Sequence, residues 1–187
     1  MRSSKHFETV GKAPVRVTIN VSPLQLEPGF PDALSYMLKV HQLRADSIGL
    51  EVTESRMLEK GSEAEGIINS LKDLGFHMLL DDFGSGYSNL LGLASMAFET
   101  LKVDRLFCAG MHTSACTIPI VKSVIDVAKG LGKNCIVEGI ESVQQESTLR
   151  DIGCKLVQGF LYSPPISFEK ATDWVRQGKK PQSQLAA

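Results

Sequence analysis

This chain lacks paired cysteines, long apolar runs and an excess of either charge. Its four cysteines, Cys108, Cys116, Cys135 and Cys154, form no C-x-x-C pair. They read as small apolar fillers in a reducing compartment, with disulfide or zinc roles the minority reading. His6, His41, His77 and His112 also lack metal-site spacing. No apolar run nears the roughly 18–20 residues that span a bilayer, and residues 1–14 lack the apolar core of a signal peptide. A formal net charge of −1 offers no bulk attraction for a nucleic-acid polymer or an anionic membrane. The expectation is a cytoplasmic domain that contacts neither.

What is present is an alternation of strand and helix patterns over 187 residues, 43% of them hydrophobic. Strands are expected at 15–22, 48–53, 77–82, 100–104, 134–140 and 155–163. Helices are expected at 30–43, 62–75, 117–132, 142–153 and 167–177, with Ser62 and Glu65 forming a capping box and Gly75 a helix stop. Residues 1–14 read as the end of a preceding helix and its loop, and 178–187 as a polar tail.

Apolar strands alternating with helices imply an α/β fold with a parallel sheet. A doubly wound sheet of the dinucleotide-binding kind should carry a glycine fingerprint at an early strand-to-helix turn, and none is present. Each strand instead delivers polar groups near its C-terminal end: Asn20, Glu51 and Glu54, Asp81 and Asp82, Lys102 and Asp104, Glu138 and Glu141, and Gln158. A TIM-like (βα) barrel gathers such groups at one mouth, whereas an open sheet spreads them along an edge. Six βα units fall two short of the eight that occupy about 250 residues. The expected fold is therefore an incomplete barrel over 15–177 with its first strands missing.

Glu51, Asp81, Asp82 and Glu138 in one pocket would repel one another, so either some are protonated or a multivalent cation compensates them. Carboxylates with the Asn20 amide suit Mg2+ or Mn2+ rather than zinc. Two such ions roughly 3.5–4 Å apart activate water against a phosphodiester. Lys102, a lysine among buried neighbours, needs a partner. Asp104 is left with either a site or a loop role, and Gln158 with a site or a backbone-satisfying one. The residue pattern alone names no substrate.

In motif content and order, residues 15–176 resemble the EAL domain family, which hydrolyses cyclic di-GMP to linear pGpG with two Mg2+ or Mn2+ ions on a modified barrel. The resemblance rests on "NVS", "LEVTES", "DDFGSGYSNL", "LKVD", "VEGIE" and "QGFLYSPPI". It implies Asn20, Glu51, Asp81, Asp82 and Glu138 as metal-site residues, with Asp81 bridging the ions and Asp82 binding the second. It implies Lys102 near the catalytic water, Gln158 positioning that water and Glu138 as a further acid or base. Glu54 would anchor the loop after the Asp pair, with Asp104 beside the lysine and Glu141 in support. Gly84, Ser85 and Gly86 would let that loop close and help build a homodimer. Sensory or cyclase domains would precede such a domain in a longer protein.

The motif that names the family, Glu-x-Leu-x-Arg, is absent from these residues, and Glu8 in "HFETV" has the wrong context to replace it. Two expectations follow: a catalytic phosphodiesterase domain, or a non-catalytic regulator that binds cyclic di-GMP or a protein. Exposed sheet edges also lead to an expectation of pairing between copies.

Overall fold

The structure, a computed structural model, describes residues 15–54, 63–84, 90–112 and 114–177. The readings placed on 1–14, Ser62, Ser85, Gly86 and 178–187 lie outside the described residues. Six parallel strands form one sheet: β1 (Val17–Val21), β2 (Ile48–Thr53), β3 (His77–Phe83), β4 (Thr100–Val103), β5 (Asn134–Glu138) and β6 (Leu156–Gln158). Their order in space is their order in sequence, so no strand order reverses as it does in a doubly wound sheet. That sequential winding gives a curled half-barrel, with β1 and β6 as its outer strands.

Seven helices occupy the connections among the described residues: α1 (Phe30–His41), α2 (Glu63–Asp73), α3 (Leu90–Ser95), α4 (Arg105–Gly110), α5 (Thr117–Gly130), α6 (Val143–Asp151) and α7 (Phe168–Arg176). The stop expected at Gly75 is present: its φ of +94° is the left-handed geometry that glycine adopts at a helix end. A Ser142–Gln145 capping box starts α6. Asp104 starts α4, its Oδ1 accepting a hydrogen bond from the Leu106 N–H at 2.8 Å. Helix α4 falls where no helix was expected from the sequence.

Two apolar clusters fill the layers between sheet and helices. One joins β1–β4 to α1 and α2 through residues such as Leu50, Ile68, Leu71, Met78 and Phe98. The other joins β4–β6 to α4–α6 through Val103, Cys108, Val121, Val137 and Leu149. β6 is shorter than expected. It stops at Gln158 because Gly159 presses directly on the Ile140 backbone, where a Cβ would lie 2.1 Å from the Ile140 oxygen. The chain there leaves the ladder to bond that loop, with Leu161 N–H donating to Ile140 O at 3.0 Å. No helix among the described residues is long and apolar enough to cross a membrane.

Candidate metal centre at the strand tips

Strand register determines which side chains share a face. Asn20 pairs with Glu51, Glu51 with Leu79, Lys102 with Ile136, and Glu138 with Gln158. Side chains alternate with period two along each strand. Asn20, Glu51, Asp81, Lys102, Glu138 and Gln158 therefore belong to one face. Their positions climb along the strands from β2 to β5, the stagger that accompanies strand tilt in a barrel.

Asp82 should point away from that face, and the backbone explains why it does not. Between Leu80↔Leu101 and Phe83↔Val103, β3 carries two residues, Asp81 and Asp82, opposite the single Lys102 of β4. This is a β-bulge, which lets neighbouring residues aim the same way. Asp82 takes a φ of +55°, a left-handed conformation that aspartate tolerates better than most residues. The strand expected at 77–82 ends with the pair, whereas β3 runs on to Phe83.

On a flat sheet β2 and β5 would stand about 14 Å apart, three spacings of about 4.8 Å. Here side chains from both reach one ammonium. Lys102 Nζ lies 2.8 Å from Glu51 Oε2, 2.9 Å from Asp81 Oδ1 and 2.7 Å from Glu138 Oε1. The Glu51 contact is a direct hydrogen bond. Lys102 is only 4% exposed. Burial pulls its pKa down, but Glu138, Glu51 and Asp81 outweigh that and hold it above an ordinary lysine.

Carboxylate oxygens of Asp81, Asp82 and Glu138 all lie within 4.8 Å of one another. Burial and the charges of Asp81 and Asp104 push the Asp82 carboxyl upward, against the pull of Lys102 and Arg105. Burial also raises Glu138, opposed by Lys102 and reinforced by Asp81 and Glu51. Asp81 Oδ1 is buried against the Lys102 ammonium. An all-oxygen cluster of three carboxylates fits a hard divalent cation.

The remaining sequence-predicted residues separate by role. Glu54, 2% exposed, accepts a hydrogen bond at Oε2 from the Gly84 N–H at 3.1 Å, tying β2 to the start of the loop after the Asp pair. Gly84, at φ +91°, sits against the Phe107 ring, where a Cβ would approach to 2.9 Å. Asp104 caps α4. Asn20 and Gln158 lie on the outer strands beside Glu51 and Glu138. Glu141 is exposed beyond β5, its N–H donating to Gln145 Oε1 at 2.8 Å. Arg105 went unnoticed in the sequence. Its Cβ packs where a Gly139 side chain would be, 2.5 Å from the ideal Cβ position, beside Glu138. A basic residue directly after "LKVD" was the available signal.

The EAL domain family model matches residues 1–165. The cyclic di-GMP phosphodiesterase RocR of Pseudomonas aeruginosa is 31% identical over 162 residues, covering 86% of this chain and 41% of that protein. The chain spans well under half the length of RocR and 24% of PdeR of Escherichia coli, a cyclic di-GMP phosphodiesterase 32% identical over 160 residues, which cover 83% of this chain. Among solved structures, PaMucR phosphodiesterase in complex with c-di-GMP superposes with a TM-score of 0.86 at 30% identity, covering 91% of this chain and 69% of that one. Klebsiella pneumoniae BlrP1, in its manganese and cyclic di-GMP complex, gives a TM-score of 0.78 at 29% identity, covering 87% of this chain and 41% of that one. With the strand order, the rim of acids and a match over most of its length, the chain belongs to the EAL domain family.

Proposed function

We propose that this chain hydrolyses cyclic di-GMP to linear pGpG in a reaction that depends on two divalent ions, Mg2+ or Mn2+. The observation that carries the reading is the convergence of Glu51, Asp81 and Glu138, from three strands, on Lys102, with Asp82 turned into the same cluster by the bulge. Asn20, Glu51, Asp81, Asp82 and Glu138 would hold the ions, Asp81 reaching both and Asp82 the second. Bound ions of this kind supply an activated water and offset charge on a phosphodiester during in-line attack.

The chain's own residues do the rest. Glu138 would accept a proton from the attacking water at a carboxylate oxygen. Lys102 carries a permanent positive charge against the phosphate oxygens. Gln158, beside Glu138, orients the water through its amide. Glu54 holds the Gly84 backbone at the end of β3. Asp104 keeps α4 seated next to Lys102, and Glu141 supports the β5 loop. The functional unit is a cytoplasmic homodimer, with sensory or cyclase domains preceding this one in a longer protein.

The test is chromatographic detection of pGpG released from cyclic di-GMP by this chain with Mg2+ or Mn2+, and with chelator. Metal-dependent release is the expected result. Cyclic di-GMP binding without release favours a non-catalytic regulator. Absence of both binding and release contradicts each reading.

A further inference from the structure

We propose that Lys102 is the internal cation of the metal-free site, and that metal loading is an exchange in which divalent ions take over carboxylates now held by its ammonium. The inference rests on the two-ion reading above and adds a control step to it. An ammonium has three N–H donors, and three carboxylates, from Glu51, Asp81 and Glu138, stand within 2.9 Å of Lys102 Nζ. In this state its donors are committed to the very acids that a metal would need. Those three carboxylates make all their described ion pairs with this one lysine.

Two consequences follow from charge alone. The lysine holds Glu51, Asp81 and Glu138 together before any metal arrives, so the ligand set is collected in advance rather than assembled by the ion. It also competes with the incoming cation, because a positive charge a few ångströms away weakens the binding of another. Asp81 is the natural point of attack, since its contact with Nζ is the longest of the three at 2.9 Å and its oxygens lie with those of Asp82 and Glu138. As ions occupy the carboxylates, N–H donors of Lys102 are released. The lysine becomes available to water or phosphate only once the site is loaded. Metal occupancy thereby gates the group that handles the substrate's charge.

The test compares the wild-type chain with Lys102→Met and Lys102→Arg by Mn2+ titration, reading free Mn2+ by electron paramagnetic resonance. Reductive methylation of Lys102, followed by mass spectrometry with and without Mn2+, is the second readout. Lys102→Met is expected to bind Mn2+ at least about tenfold more tightly than wild type, and Lys102→Arg to stay near it. Lys102 is expected to be protected from methylation in chelator and to become reactive when Mn2+ is bound. Where Lys102→Met fails to fold without metal, affinity is measured by stripping Mn2+ from the loaded variant with graded chelator. Unchanged or weaker Mn2+ binding by Lys102→Met, or equal methylation in both states, overturns the exchange and leaves the two-ion reading standing. If neither wild type nor variant binds Mn2+, both fall.

Discussion

The two ends of the sheet carry similar charged residues and treat them in opposite ways. At the N-terminal end, Glu99 receives the Met78 N–H at 2.7 Å, and Lys72 and His77 approach it at 3.7 and 3.9 Å. His77 Nε2 meets Thr100 Oγ1 at 2.9 Å, and Lys133 Nζ donates to the Met96 and Phe98 carbonyls. Glu99, His77 and Lys133 each have backbone or hydroxyl company, and the Lys72 side chain is about half exposed. At the C-terminal end, Glu51, Asp81 and Glu138 crowd one buried ammonium, with Asp82 beside them. Local stability explains the first arrangement. It does not explain the second, because gathering buried like charges is unfavourable without a further cation. Acids gathered in excess of their counter-charge point to a ligand.

Substitutions at the two ends should separate the roles. The largest effect is expected from Glu138→Gln, which keeps the shape and removes the proton acceptor: kcat should fall by about 10²–10⁴-fold, with a native circular-dichroism spectrum. Glu99→Ala at the opposite end should cost about 1–3 kcal/mol of stability in urea titration, by leaving the Met78 N–H unpaired. Mn2+ affinity and turnover should remain at the wild-type level in that variant. A smaller effect concerns His77, whose pKa lies below the ordinary 6.5 because of burial first and then the Arg16 charge, with Glu99 opposing.

The unfolded chain therefore takes up this proton more readily than the folded one. The contribution is present above about pH 6.5 and is lost as pH falls below it. Unfolding midpoints at pH 8 and pH 5.5 should differ less in His77→Gln than in wild type. Least of all should come from Lys122→Ala, which removes an exposed pair with Asp126 on α5 and should shift stability by no more than about 0.5 kcal/mol. A Glu99 variant that lost turnover, or a Glu138 variant that kept it, would erase the distinction between the ends.

Much of this was legible in the sequence because apolar periodicity is a strong signal. The strand expected at 48–53 is β2 to the residue, and "VRVTINVS" contains β1. The rim of polar groups was legible for a related reason: a charge ending a buried strand has few places to go. The bulge was not, since it depends on pairing between β3 and β4 and has no local signature beyond two adjacent acids. Helix α4 is only six residues long, too short for a periodic pattern, and its one cue is the Asp104 cap. The early end of β6 arises from contact between Gly159 and Ile140, residues apart in sequence. Lys102 was read as needing a partner; that it has three, from three strands, is a property of sheet curl alone.

Anomalous diffraction at the manganese edge from crystals grown with Mn2+ tests the centre most directly. Two neighbouring peaks are expected, each within reach of Asp81 and both within coordination distance of the Asn20, Glu51, Asp81, Asp82 and Glu138 set. A map with no peak against Asp81, Asp82 or Glu138, with Lys102 still bonded to all three of its acids at saturating Mn2+, would contradict it.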